Sequence, residues 1–409
     1  MKFSAEKNLI NSDNSKNSAA FASVAKVLSG YQPGFDLTGE ASPDAIERFV
    51  VLCVRGSPRL LLPPSPPLMR AAIKSFLGNR RFLAALVAPF IQGACWIGGP
   101  LSYLSTPVSL TSTDGKSSPL RELLANALGH NDFQIAMRLS FGRPNAKMVA
   151  MAISSEGEVL CFAKFGSEAM TNDLVAHESA ILEQFEGVDM PLIIPGRLFS
   201  GAWVGGHNVL ITAPLQMEPL EPDASSAHQA ADAFASLNAV TTSALKDSAY
   251  WQQIGERVAQ LEDSGNGKEP LSTTVARIEQ AWGDSIFDFG ASHGDWSRAN
   301  LGLVDGRVAA LDWERCTELS PRGIDIAHFA ICEITARAFK KSFDIEHVAK
   351  SVRQYLHAAG QPPEKAEALL MFAMLEMVIR FKSAQNVGLR SADSKFRPAL
   401  QAGLKKWAV

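Results

Sequence analysis

No pair of cysteines in this sequence is spaced to hold a zinc ion or an internal redox couple. The five, Cys53, Cys95, Cys161, Cys316 and Cys332, are scattered, odd in number and free of any C-x-x-C spacing. A disulfide framework is therefore not expected, and a reducing cytoplasm fits. A basic excess is missing too. The formal net charge is −3, which excludes nucleic acid as an obligate partner, since phosphate backbones demand a positive surface. The early lysines are followed by no apolar h-region, so no signal peptide is expected. One long stretch, Phe82 to Leu110, has no charged residue. Its length would permit a membrane span, but Pro89, Gln92, Gly93, Gly98, Gly99 and Pro100 interrupt it. A buried helix followed by a turn is the reading, with no membrane contact.

What is present is ample apolar material. Apolar residues make up 46% of 409 and charged residues 20%, enough for two or three packed domains. Residues 1–40 read as a polar, flexible tail. Over 41–117 an N-terminal accessory module is expected, with a hairpin across Arg48 to Leu62 turning at Arg55-Gly56-Ser57-Pro58. A helix from Leu68 to about Val87 completes it. A first lobe then spans 118–215. It opens with a helix over Pro119 to Ala127 and continues with strands at Phe133–Leu139, Lys147–Ser154 and Val159–Phe165. A helix over Thr171–Phe185 follows, then strands near Gly196–Ser200 and Asn208–Thr212. From 216 to 409 the pattern turns helical, with long Ala-rich runs from Ser226 to Leu261.

The chemistry concentrates in His293-Gly294-Asp295-Trp296-Ser297-Arg298-Ala299-Asn300 and Leu311-Asp312-Trp313-Glu314. Asp305-Gly306 separates the apolar runs Leu301–Val304 and Val308–Leu311, a strong hairpin signal. Folding that hairpin brings Asn300 and Asp312 to one mouth, beside Asp295. An amide oxygen and a carboxylate suit a hard cation such as Mg²⁺ and leave room for phosphates.

This stretch resembles the catalytic loop and metal motif of the aminoglycoside phosphotransferase and choline kinase family, small-molecule kinases related to protein kinases. The resemblance implies an α+β, protein-kinase-like bilobal fold, with an antiparallel β N-lobe and a helical C-lobe. It implies ATP and Mg²⁺ as cofactors and a small-molecule hydroxyl as acceptor. Asp295 would be the catalytic carboxylate, and Asn300 and Asp312 the metal ligands. Ser297 stands where protein kinases usually carry lysine, and no Ala-Pro-Glu follows the metal motif, which disfavours a protein kinase.

The upstream half supports this. Such a kinase needs a strand lysine paired to a helix glutamate. Lys164 lies in the third strand of the lobe. Glu178 falls on the apolar stripe of Leu174, Ile181, Leu182 and Phe185, where a carboxylate is costly unless paired. Lys164 and Glu178 are thus expected to act together. By position, Gly142 and Arg143, in Ser140 to Lys147, belong to a phosphate-covering loop. The backbone of Ala213-Pro214-Leu215 would serve adenine. Asp325, in Gly323-Ile324-Asp325-Ile326-Ala327-His328-Phe329, matches a family aspartate that braces the catalytic loop. His328 reads as a packed helix residue, and Trp296 and Trp313 as core. The acceptor is open: a sugar, aminoglycoside, amino alcohol or related metabolite. From Glu333 onward thirteen Lys or Arg stand against seven Asp or Glu, a balance that does not favour a polycation. The rival reading is a nucleotide-binding pseudokinase acting as a scaffold.

Overall fold

The computed structural model describes residues 35–38, 44–54, 57–77, 105–112, 117–139, 147–237, 240–263, 270–338, 345–386, 400 and 402–404. Most of the expected tail, the Arg55-Gly56 turn, most of the uncharged Phe82–Leu110 stretch, and Gly142 and Arg143 lie outside them. The chain divides into two compact units, one of 1–141, 146–179 and 196–214, the other of 142–145, 180–195 and 215–409.

The first unit is built on one sheet of nine strands among the described residues. Four come early: β1 (Phe35–Thr38), β2 (Ala45–Val54), β3 (Ser57–Leu62) and β4 (Ser105–Ser112). Five follow: β5 (Gln134–Arg138), β6 (Met148–Ile153), β7 (Val159–Phe165), β8 (Arg197–Trp203) and β9 (His207–Thr212). Their order is β1-β4-β2-β3-β5-β6-β7-β9-β8, and every neighbouring pair is antiparallel.

Strand periodicity puts alternate residues on opposite faces. In β6 this gives Met148, Ala150 and Ala152 to one apolar layer and Val149, Met151 and Ile153 to the other. Being covered on both faces, β6 is a continuous apolar run rather than an alternating one. Helix α1 (Pro66–Leu77) supplies Leu68, Met69, Ala72, Ile73 and Phe76 to one layer, and α2 (Pro119–Leu128) supplies Leu120 and Leu124 to the other.

The accessory region expected over 41–117 shows no break in the sheet at its boundary. Leu60 pairs with Arg138 and Leu61 with Met137, so β3 continues directly into the later strands. Glu47 on β2, 6% exposed, is gripped by Arg121 of α2, whose guanidinium also donates to the carbonyl of Phe133 at 3.1 Å. The hairpin and helix read from the sequence are therefore integral to the first unit's core. The physical reason is that an apolar hairpin with two unpaired edges gains most by extending an existing sheet.

The second unit is mainly helical. It holds α4 (Ser225–Ala235), α5 (Ala249–Asp263), α6 (Leu271–Trp282), α7 (Ile324–Ala338), α8 (Ile345–Ala358) and α9 (Pro363–Asn386). Two small sheets accompany them: β10 (Thr241–Ala244), β11 (Ile286–Ser292) and β14 (Thr317–Pro321) in the order β10-β11-β14, and the hairpin β12 (Leu301–Val304)–β13 (Arg307–Ala310). The helical run expected from Ser226 to Leu261 is thus divided by a strand. Thr241 and Thr242 are β-branched and find partners in β11, where Thr242 Oγ1 donates to Asp288 at 2.8 Å. Buried aromatics fill the unit: Phe372 meets Tyr250, Trp251, Trp282 and Phe287, while Trp313 packs on Phe185, Phe234 and His293. Trp296 and Trp313 are fully buried, as the sequence led us to expect. Each unit has the build expected of the corresponding lobe of a kinase-like α+β fold.

Candidate active site

In the first unit, Lys164 lies on β7, on the face opposite Cys161, Ala163 and Phe165, which belong to the apolar core. Its ammonium donates to both carboxylate oxygens of Glu178, at 2.6 and 2.8 Å. Glu178 sits on α3 (Ala169–Gln184) and is 1% exposed. A carboxylate so deeply buried requires a charge partner, and Lys164 supplies it with near-symmetric geometry. Lys147 is buried just before β6. In the connecting segment after β9, the Ala213 amide donates to the carbonyl of Gly196 at 2.8 Å. Of the two expected adenine contacts, Ala213 therefore has only its carbonyl to offer, whereas the backbone of Leu215 makes no such bond among the described residues.

In the second unit, the Asp305-Gly306 turn has φ of +50° and +75°, which is what a two-residue hairpin with both central residues left-handed requires. The strands pair in register from Leu301↔Ala310 to Val304↔Arg307. Neighbouring segments clamp the hairpin on both sides. Ile193 exchanges backbone bonds with Val308 and Ala310 at 2.8 and 2.9 Å, and Glu218 exchanges them with Leu303 at 2.7 and 2.8 Å. At the mouth, the Leu311 amide donates to the Asn300 carbonyl at 2.8 Å, which sets Asp312 one residue from Asn300's partner. Asp312 has φ +63°, a left-handed conformation that a non-glycine residue adopts under constraint.

The loop before the hairpin is held from within. Both carboxylate oxygens of Asp325, at the start of α7, accept backbone amides: His293 at 2.7 Å and Gly294 at 2.9 Å. Gly294 has φ +76°, and a Cβ there would meet the Arg315 carbonyl at 2.3 Å, so only glycine fits. The His293 ring is buried between Trp296 and Trp313. It accepts the Asp295 amide on Nδ1 at 3.2 Å and meets the Leu311 carbonyl with Nε2 at 2.9 Å, which assigns the proton to Nε2. Burial pulls this imidazole below its usual range, consistent with a neutral ring.

Asp295 itself is 44% exposed. Asn300, 7% exposed, donates its amide to the Asp295 carboxylate at 2.9 Å and to the Asp295 carbonyl at 3.0 Å. That leaves Asn300 Oδ1 as the atom able to face a cation. The chemistry of the donors fits a hard ion: one amide oxygen and one carboxylate, with further oxygens to come from phosphate and water. Among the described residues no group of three or more His, Cys, Asp or Glu is arranged to hold a metal, so an all-protein cage is not what this loop offers.

Sequence reasoning took His328 only as a packing residue. The structure buries it, but also directs its Nε2 toward Asp295 Oδ1 at 3.6 Å, while Nδ1 donates to the Trp296 carbonyl at 3.0 Å. Burial opposes charge on this ring, but Cys332 and the Asp295 carboxylate outweigh it and push the imidazole up to about 9. A polar residue on an apolar helix face, four before a cysteine and three after the bracing aspartate, was the available signal.

No family model and no curated protein matches the chain. Three solved structures to which it is similar are small-molecule kinases. Aminoglycoside phosphotransferase APH(4)-Ia is 15% identical with a TM-score of 0.46, over 71% of this chain and 97% of that one. APH(2")-IIa, solved with gentamicin, is 12% identical with a TM-score of 0.40, over 70% and 94%. The amicoumacin kinase hAmiN, solved with AMP-PNP, Ca²⁺ and Ami, is 10% identical with a TM-score of 0.40, over 70% and 92%.

Proposed function

We propose that the protein is an ATP-dependent phosphotransferase that moves the γ-phosphoryl group to a hydroxyl of a small molecule. One observation carries the reading: a catalytic-type loop, fixed by Asp325 and His293, presents Asp295 beside Asn300 at the mouth of a hairpin that Asp312 follows.

The roles follow from the chemistry. Asp295 orients the acceptor hydroxyl and takes its proton as the oxygen attacks phosphorus. The Asn300 amide, donating to that carboxylate, keeps one oxygen engaged and so fixes the direction of the other. Asn300 Oδ1 and the Asp312 carboxylate would hold Mg²⁺, which when bound neutralises charge on the phosphate oxygens. Lys164 binds phosphate and Glu178 keeps its ammonium in place. Positioning and charge neutralisation supply most of the rate in such transfers.

The test is ATP turnover by the purified protein against a panel of hydroxyl-bearing metabolites, with Mg²⁺ titrated. Turnover that needs Mg²⁺, and that weakens with MgATP affinity in Asn300→Ala and Asp312→Ala, is the expected result. Unchanged MgATP affinity in both variants would sink the metal assignment. Nucleotide binding without transfer to any acceptor would favour the scaffold reading.

A further inference from the structure

Behind the catalytic loop the second unit gathers arginine. On α5, Tyr250 and Arg257 are seven residues apart and share a face, and on α9 so do Phe372, Glu376 and Arg380, spaced by four. The two faces meet: Tyr250 packs on Phe372 with ring centroids 6.2 Å apart, and Arg257 donates to Glu376 at 2.9 and 3.1 Å. Arg315 arrives from the turn after Trp313, with its backbone against Gly294, one residue from Asp295. Its guanidinium lies within electrostatic reach of Arg380, Arg257, Asp295 and Glu376.

The charges there do not balance. Three guanidiniums share two carboxylates. Glu376 is already taken by Arg257, and Asp295 accepts from Asn300. Neither the Arg315 nor the Arg380 guanidinium makes a hydrogen bond or ion pair among the described residues. The Tyr250 hydroxyl, in a residue 3% exposed, is buried without a partner and faces Glu376, Arg257 and Arg380. A guanidinium taken from water without an anion is costly, and an orphaned buried hydroxyl adds to that cost.

We propose that the phosphoryl acceptor carries a carboxylate or phosphate group of its own, and that Arg315 and Arg380 hold that anion while Asp295 meets its hydroxyl. A planar fork of N–H donors matches either oxyanion, which is what two unengaged arginines within electrostatic reach of each other are suited to recognise. Burial and the neighbouring Arg380 hold Arg315 down at about 10, a strain that a bound anion relieves. Three guanidiniums at this place repel a polycation, so the acceptor class differs from aminoglycosides. The alternative use of Arg315, as a brace that only neutralises Asp295, predicts no preference for acceptor charge. The proposal rests on Asp295 being the residue that meets the acceptor.

The experiment has two arms. In the first, wild-type protein is offered acceptors in matched pairs, glycerate against glycerol and ribose 5-phosphate against ribose, with kanamycin as the polycation. The anionic member of a pair should show at least about tenfold higher kcat/KM. Arg315→Gln and Arg380→Gln should each raise its KM about tenfold or more while MgATP affinity holds. A preference for the neutral or cationic acceptor, or variants that shift both members of a pair alike, overturns the proposal. The second arm is calorimetric titration of inorganic phosphate into wild type and Arg380→Gln, with Mg·AMP-PNP present. It decides the matter even if no acceptor is phosphorylated. Phosphate binding that Arg380→Gln abolishes supports the anion site whether or not the protein is a kinase. Equal binding by both, or none by wild type, refutes it. If Arg315→Gln does not fold, Arg380→Gln and the wild-type pairs carry the test.

Discussion

The two clusters of candidate site residues solve opposite electrostatic problems. Lys164 and Glu178 form a closed pair: one charge of each sign, with both carboxylate oxygens engaged and Glu178 almost wholly buried. The loop around Asp295 is open. Its carboxylate is 44% exposed, and the backbone that carries it is held rigid by Asp325 and His293. The closed pair fixes a cation at a defined point, while the open loop holds a carboxylate that solvent can reach. Preorganisation comes from pairing in the first and from backbone anchoring in the second. Variants should therefore fail differently in the two places.

The largest effect is expected at the open loop. Asp295→Asn keeps the shape and removes the proton acceptor, so kcat should fall by about 10²–10⁴ with MgATP affinity within a fewfold of wild type. Steady-state kinetics and nucleotide titration read the two quantities separately. A mutant within a fewfold of wild-type kcat removes Asp295 from its role. Next in size is Asp325→Ala. It strands two amides, the buried one of His293 and the half-buried one of Gly294, and should cost roughly 2–4 kcal/mol in stability together with much of the activity. Denaturation curves check this, and a variant of unchanged stability and rate would show that the loop needs no anchor.

How far these features could be read in advance depends on range. The Asp305-Gly306 hairpin, the strands of β5 to β7 and the helix carrying Glu178 announce themselves within ten residues, because turn chemistry and periodicity are local. Lys164 and Glu178 are fourteen apart, and the cost of a lone carboxylate on an apolar stripe was enough to join them. The junction of β3 to β5 was not legible, since it pairs Leu60 with Arg138 across 78 positions and no local pattern encodes a partner that distant. Strands β10, β11 and β14 were missed for the same reason. Thr241–Ala244 sits in Ala-rich surroundings and becomes a strand only because β11 offers an edge. The Arg257, Arg315 and Arg380 cluster draws one residue from each of three separate elements, and His328 reaches Asp295 from 33 positions away. Such constellations exist only in three dimensions.

At the closed pair a smaller effect is expected. Glu178→Gln removes the counter-charge but keeps a hydrogen-bonding side chain of the same size. Lys164 would keep its charge yet lose its fixed position, so MgATP-dependent turnover should fall by about 10- to 100-fold, a penalty of roughly 1.4–2.7 kcal/mol. Comparison with Asp295→Asn sharpens the contrast: Glu178→Gln should weaken nucleotide affinity and rate together, whereas Asp295→Asn should spare affinity. If Glu178→Gln lowered kcat alone, the ion pair would have no part in holding phosphate.

The smallest effect expected is a pH dependence that only the open loop can have. His328 faces Asp295 from the loop before β12, Cys332 from its own helix and Arg380 from α9. With Nδ1 committed to the Trp296 carbonyl, a neutral ring would turn the lone pair of Nε2 toward the Asp295 carboxylate, whereas a protonated ring turns an N–H toward it. The charged form is therefore favoured in the folded protein, with the imidazole pushed up to about 9 from its usual 6.5. A folded-state value above the unfolded one stabilises the protein fully below pH ~6.5, and that contribution is lost as pH rises through about 9. Its size is on the order of 1–3 kcal/mol. The stability of wild type should then decline between pH 6.5 and 9 more steeply than that of His328→Asn, which has no such proton to lose. Denaturation midpoints measured across that range for both proteins make the comparison. Parallel curves would mean that His328 is neutral throughout and that Asp295 has no cationic neighbour on α7.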